Sequence, residues 1–276
     1  MIDKPVIEVL AKHFEKLSLA ERKVADYVLR NPKEAMNLIV SELAERSGVS
    51  DATVVRMCRH VGYKGFYQFK VVLAKYVGRS EKEIITQEKP DTFTHILERY
   101  AASIIALGEH VDKATMLYCV NMINACTQVH ILAVGNTTPL GLYMGFRLGR
   151  LGVRCTFGIA PEYSMNHVNL ADKNDIIIAI SQSGGSKQVI QGIELGKKKG
   201  LKVIAITGYK ESPVAKLADI AIISNIRKEA FSYYKDYAHL KEIAIIDALL
   251  ELLTNWTTIE KKDADKPEFI LSEYKY

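Results

Sequence analysis

Three stretches of this 276-residue chain have residue types and spacings that could do chemistry. Two are short turns. AVGNTTP carries Gly135, Asn136, Thr137 and Thr138, and SQSGGSKQ carries Ser181, Gln182, Ser183, Gly184, Gly185 and Ser186. Each follows an apolar, β-branched run and opens into a helical pattern. A helix N-terminus offers unpaired N–H groups and the positive end of the helix dipole, glycine lets an anion approach the backbone, and hydroxyls donate further hydrogen bonds. The joint reading is a phosphate cradle that uses little net charge. The bland alternative is that the hydroxyls are N-caps and the glycines turn formers.

The third stretch, SELAERSGVSDATVVRMCRHV over residues 41–61, has the helix-turn-helix pattern. A steep crossing of two helices over a short turn needs a small residue, a turn residue four positions on and an apolar residue ten positions on, and Ala44, Gly48 and Val54 meet it. Ser41 and Ser50 are placed to cap the two helices. On the second helix Val54, Val55 and Met57 or Cys58 form the buried side, leaving Asp51, Thr53, Arg56, Arg59 and His60 at least partly outward. Arg56 is the expected base reader, because its planar fork can pair bidentately with guanine, and Thr53 is next. Arg59, Lys64 and Lys70 suit phosphates, which fix register without reading sequence. In GYKGFYQFK the aromatics Phe66 and Phe69 are expected to pack in the core.

Other phosphate and nucleotide motifs fail on spacing. AVGNTTPLG keeps only part of the G-x-G-x-x-G dinucleotide pattern, and Glu162, past the end of the second strand, reads as a loop carboxylate rather than a ribose ligand. No G-x-x-x-x-G-K-[ST] occurs. Cys58, Cys119, Cys126 and Cys155 form no C-x-x-C pair, so buried thiols are expected and no metal or other cofactor.

The elements that must position these groups follow from periodicity. Residues 1–79 read as helices throughout and are expected to form an all-α helix-turn-helix domain. Residues 80–91, SEKEIITQEKPD, read as a linker. A helical pattern runs over about 92–126, then five apolar runs (QVHILAV, VRCTFGI, DIIIAIS, LKVIAIT and DIAIISN) alternate with helical segments. That alternation predicts an α/β domain over 92–256 built on a five-stranded parallel sheet, doubly wound. A last helix is expected at about 234–254 and a charged tail over 257–276. Hydrophobic residues at 48% and charged residues at 25% fit a folded chain with buried cores. No apolar run reaches the ~18–20 residues of a membrane span, and a cytoplasmic location without membrane contact is expected. Charge is unevenly divided: residues 1–79 hold 14 Lys+Arg against 9 Asp+Glu, which accounts for the whole net charge of +5. An excess confined to one segment suits a domain that meets a polyanion.

The pairing resembles the RpiR family of bacterial transcriptional regulators, an N-terminal helix-turn-helix joined to a sugar isomerase (SIS) domain. The likeness covers about residues 14–255. It is carried by LSLAERKVADYVLRNP, SELAERSGVSDATVVRMCRHVGYKGFYQFK, SQSGGS and HLKEIAIIDALL. The resemblance implies an operator-binding first domain and a second domain, its sheet in flavodoxin-like strand order, that binds a phosphorylated sugar as effector. It places Thr137 where the first loop's hydroxyl contacts phosphate, and Ser181, Ser183 and Ser186 on the second loop's phosphate ligands. Two departures stand out. Ala133 and Thr137 replace the first glycine and the serine of the usual G-x-G-x-S, and Glu242 stands where glutamine is more usual.

SIS folds also carry ketose–aldose isomerases and sugar-phosphate lyases. Isomerisation needs a general base near C1/C2 and usually a histidine to open the ring, for which Glu242, His239 and His167 are the candidates. The plain reading makes Glu242 a surface carboxylate in a helical pair and His167 a capped or half-buried ring. Within the cleft, Glu242 would bind a sugar hydroxyl or amine. With a DNA-reading domain on the same chain, a sensor without catalytic residues is the expected function and an isomerase or lyase the alternative. A homodimer or homotetramer on a pseudo-palindromic operator follows from two-fold symmetry.

Overall fold

Ser18 begins the clearest local signal in the chain, S-x-x-E. Its hydroxyl accepts from the Glu21 N–H at 3.4 Å while the Glu21 carboxylate accepts from the Ser18 N–H at 2.9 Å, a reciprocal cap that starts a helix at Leu19. The computed structural model describes residues 6–82, 92–225 and 239–256. Six helices form the first part: α1 Val6–His13, α2 Leu19–Arg30, α3 Pro32–Ala35, α4 Val40–Ser47, α5 Asp51–His60 and α6 Phe66–Lys82. Their apolar faces meet in one core that includes Leu10, Val24, Val28, Leu43, Val54, Met57, Phe69 and Leu73. Phe69 is buried and meets Tyr63 edge-on at 5.4 Å, and Phe66 packs against the same cluster, as expected of both.

Helix α6 runs on through Lys82, so residues 80–82 of the expected linker are its last turn, and 83–91 lie outside the described residues. The chain divides into two compact units, with Leu97 closing the first stretch and Glu98 opening the second, inside the next helix, α7 Phe93–His110.

After α8 Lys113–Ala125 come β1 Val129–Ala133, α9 Thr138–Arg150, β2 Cys155–Thr156, α10 Pro161–Leu170, β3 Ile176–Ser181, α11 Lys187–Lys198, β4 Lys202–Thr207, α12 Pro213–Leu217, β5 Ile220–Ile223 and α13 Leu240–Trp256. The sheet is parallel, in the order β2-β1-β3-β4-β5, the doubly wound arrangement expected from the sequence. Alternation along each strand sends side chains to two opposite cores. Ile131, Ile178, Ile180, Ile204 and Ile206 join residues of α8, α9 and α13, whereas Leu132, Ile177, Ala179, Val203 and Ala205 join residues of α10, α11 and α12. Burial on both faces is why these strands read as unbroken apolar runs.

Two expectations need correction. The second strand is only Cys155–Thr156, not the full VRCTFGI run, because β2 is an edge strand paired on one side alone. The described part of the last helix begins at Leu240, and 234–238 and the expected tail from residue 257 lie outside the described residues. No described helix is long and apolar enough to cross a membrane.

Candidate functional site

Strands β1 and β3 are neighbours, with Ala133 opposite Ile180, and chain order reverses between them. The two hydroxyl-rich turns leave their carboxyl ends side by side, which is where doubly wound sheets hold ligands. In the first turn Gly135 adopts φ +62°, and Gly135 and Asn136 are exposed. Thr137 is buried, and its hydroxyl lies 3.0 Å from the carbonyls of both Val134 and Ile180. One hydroxyl has one proton to donate, so the Thr137 side chain serves to tie the first turn to the end of β3. Thr138 is the first residue of α9, with Pro139 behind it.

The second turn is held by its own backbone and by the loop after β4. The Gly184 N–H donates to the Ser181 carbonyl at 3.0 Å, the Gly208 N–H to the Gln182 carbonyl at 2.9 Å and the Val214 N–H to the Gly184 carbonyl at 3.0 Å. Gly184 sits at φ +61°, left-handed backbone that only glycine adopts without strain. Ser181 is buried and donates to the Ser186 hydroxyl at 3.2 Å, which leaves the Ser186 proton uncommitted by that bond. Ser186 is the N-cap residue of α11 and its side chain makes no cap bond. Ser183 is exposed, and its hydroxyl accepts from the Gly185 N–H at 3.3 Å. Hydroxyls and helix-end N–H groups therefore collect at the mouth of this turn, a setting suited to a phosphoryl group.

Glu242, on the first turn of α13, is buried at 2% exposure, which corrects its reading as a surface carboxylate. The Ser224 hydroxyl donates to one carboxylate oxygen at 2.6 Å, and His239 Nδ1 lies 3.8 Å from the other, too long for a hydrogen bond. Ser224 in turn donates its N–H to the Thr207 carbonyl at 2.9 Å, so β4, β5 and α13 bring their polar groups together at the carboxyl end of the sheet. His167 and Glu162 are exposed on α10, so His167 is neither capped nor half-buried as read, and Glu162 is a surface carboxylate as expected but stands in the first turn of a helix rather than in a loop.

In the helical part, α4 ends at Gly48, φ +63° and ψ 44°, and the Val49 N–H closes the turn on the Ala44 carbonyl at 2.9 Å. Ser50 is the N-cap residue of α5, with its hydroxyl 3.1 Å from that of Thr53. Asp51, Arg56, Arg59 and His60 are exposed on α5, and Lys64 is exposed just beyond it. Four placements differ from expectation. Val55, expected on the buried side, is only half-buried, while Met57 and Cys58 are both buried. Thr53 is buried at 7% exposure, because with Val54, Met57, Cys58 and Val61 it completes a helical stripe one residue wider than the apolar letters suggest. Lys70 is buried at 6%, lying on the α6 stripe of Phe69, Leu73, Ala74 and Val77, and its ammonium donates to the Asn37 carbonyl at 3.4 Å. Ser41 is the second residue of α4 rather than its cap. Ile39 takes the cap position, with the Glu42 carboxylate accepting from its N–H at 2.9 Å.

Two family models match the chain, the rpiR-family helix-turn-helix domain over residues 4–80 and the SIS domain over residues 122–252. The chain belongs to the RpiR family of transcriptional regulators. Among the curated relatives of this family member, an uncharacterised HTH-type transcriptional regulator of Thermotoga maritima is 24% identical, covering 98% of this chain and 99% of its own. A second, from Caldanaerobacter subterraneus subsp. tengcongensis, is 26% identical over 90% of both. The bifunctional protein glk of Paraburkholderia xenovorans is 27% identical over 87% of this chain, which spans only 39% of that protein. The Vibrio vulnificus NanR protein, solved in complex with ManNAc-6P, shares the fold at TM-score 0.78 and 21% identity, covering 98% of this chain and 100% of its own. The sugar isomerase domain of an RpiR transcription factor from Sphaerobacter thermophilus aligns at TM-score 0.57 and 16% identity, over 66% of this chain and 99% of that domain.

Several residues of this RpiR-family chain that shape the site carry only weak local signals. Thr207, Ser212 and Ser224 are fully buried hydroxyls around the second turn, legible in the sequence only as polar residues that close or follow apolar runs. Burial pushes the Cys58 and Cys119 thiols up to about 12, far from thiolate chemistry at neutral pH. For Glu242, burial pulls the carboxyl upward, but the His239 ring and the Ser224 hydroxyl outweigh it and hold the group below its ordinary value of 4.5. A carboxyl lowered in the folded state stabilises the fold above that ordinary value, and the contribution is lost as pH falls through and below it. Urea midpoints measured over about pH 3 to 6 should therefore fall steeply on the acid side, and less steeply in Glu242→Gln. Parallel curves for the two proteins would place the acid sensitivity elsewhere.

Proposed function

We propose that this chain binds operator DNA through α5 and senses a phosphorylated sugar in its SIS domain. The proposed division is residues 1–79 for the DNA reader and 92–256 for the sensor. The observation that carries the reading is the pair of glycine- and hydroxyl-bearing turns at adjacent strand ends, tied by Thr137 to β3 and each opening a helix. Two helix N-termini at neighbouring strand ends favour a dianion over a neutral ligand. The complex of Vibrio vulnificus NanR with ManNAc-6P supports a sugar phosphate as the ligand class. Ser183 and Ser186 donate hydroxyl protons to the phosphate, Gly135, Asn136, Thr138, Gln182 and Gly184 supply backbone approach, and Glu242 faces the sugar. Ligand closure changes the affinity for operator by ordinary linkage, in a cytoplasmic homodimer or homotetramer on a two-fold site.

A panel of sugar phosphates and their unphosphorylated sugars, read by thermal shift, tests this. A true effector raises the melting temperature in proportion to RT ln(1 + [L]/Kd). Ser183→Ala should weaken the phosphorylated ligand by about tenfold, one charge-assisted hydrogen bond, and leave the unphosphorylated sugar unaffected. Equal losses for both would discard the phosphate assignment.

The buried Glu242 with His239 nearby also favours a second reading, a sugar-phosphate isomerase with Glu242 as base. It requires turnover of a phosphoketose that Glu242→Gln abolishes, whereas the sensor binds without turnover.

A further inference from the structure

A buried acid, Glu21, lies behind the α5 helix. Glu21, on the first turn of α2, is 2% exposed, yet it meets two outward side chains of α5, Arg56 and His60. Arg56 Nε lies 3.4 Å from Oε1, and His60 Nδ1 lies 3.4 Å and 3.3 Å from Oε1 and Oε2. Oε2 also accepts from the Ser18 N–H at 2.9 Å and the Ser18 hydroxyl at 2.8 Å. Burial pulls the Glu21 carboxyl upward, but the Ser18 and His60 contacts outweigh it and hold the group below its ordinary value, so it is a carboxylate at neutral pH. The acid is thus clamped to its own helix by the cap, and its Oε1 meets Arg56 of α5.

Arg56 meets the carboxylate through its inner nitrogen, Nε, and its side chain is 62% exposed. Bidentate reading of guanine needs two N–H groups of a planar fork in a fixed orientation. A long side chain free to turn loses part of that gain in ordering it. We propose that Glu21 is a positioning residue for operator reading: from inside the helical domain it seats the inner edge of the Arg56 guanidinium and presents the outer fork to a base. His60, one turn along α5, braces the same carboxylate. The inference rests on α5 being the base-reading helix, and it adds a residue on another helix to the determinants of sequence choice.

The test uses the full-length protein and a library of random duplex DNA, from which each variant selects its preferred sites. Wild type should enrich a site containing one base pair whose identity Arg56→Ala no longer reads. Glu21→Gln should lose most of the preference at that same base pair, about tenfold or more, while binding to random duplex changes by less than about twofold. In the Arg56→Ala background Glu21→Gln should add nothing at that position. Glu21→Asp, which keeps the charge but withdraws it by one methylene, should show the same position-specific loss and guards against a Gln variant that does not fold. Phe69→Leu, a core change that lowers stability, should leave the selected site intact. The proposal is overturned if the Glu21 variants select the wild-type site with undiminished preference, or if their effect is the same with and without Arg56. A wild-type protein that enriches no site would instead defeat the reading of α5 itself, and the proposal with it.

Discussion

Gly184→Ala is expected to lower the melting temperature by roughly 5–15 °C and to remove stabilisation by sugar phosphate. Two effects combine. The residue sits at φ +61°, where a Cβ costs about 1–2 kcal/mol, and that Cβ would press into the Ser212 side chain and come within 2.8 Å of Thr207 Oγ1. Overpacking a tight site costs a further ~1–3 kcal/mol. Relief by movement would carry the turn away from Ser181 and Ser186, whose hydroxyls are in register with α11 only while the turn keeps its shape. The neighbouring Gly185 provides the control. It has no positive φ, and a Cβ there would meet only the Ser183 hydroxyl at 3.9 Å, so Gly185→Ala should melt nearly as wild type. Thermal melts of both variants, with and without ligand, decide the matter. A Gly184→Ala protein that melts like Gly185→Ala and still responds to ligand would mean that the turn is not the rigid cradle described.

Arg56→Ala should weaken binding to a selected operator by about 1–3 kcal/mol, roughly tenfold to a hundredfold, and leave binding to random duplex nearly unchanged. Only one phosphate-distance charge disappears, so the slope of log K against log salt should change by no more than about one. Fluorescence anisotropy on the two duplexes across a salt series measures both quantities. An equal loss on random DNA would make Arg56 a phosphate contact instead. Thr53→Ala, by contrast, should act on stability, since Thr53 is buried with its hydroxyl against Ser50.

The helix-turn-helix and the succession of strands and helices were legible because both are written in local spacing. Ala44, Gly48 and Val54 mark one turn and one crossing, and a parallel strand buried on both faces announces itself as Ile176–Ser181 does, by an unbroken apolar run. The hydroxyl turns were legible for the same reason, since each lies within a few residues of a strand end. Burial at the margins of a stripe was not. Thr53 and Lys70 have polar names on positions that the helical period assigns to the core, and only the neighbouring helix decides how wide the buried stripe is.

Composition and periodicity by themselves determined a helix-turn-helix part, a parallel sheet covered on both faces and the two turns at its carboxyl end. Tertiary structure alone decided which polar groups share a partner. Glu21 meets His60 across 39 positions, Thr137 meets the Ile180 carbonyl across 43 and Ser224 meets Glu242 across 18. Such pairs leave no periodic trace, because a hydrogen bond depends on the distance between two atoms in space, and that distance exists only once separate helices and strands have packed.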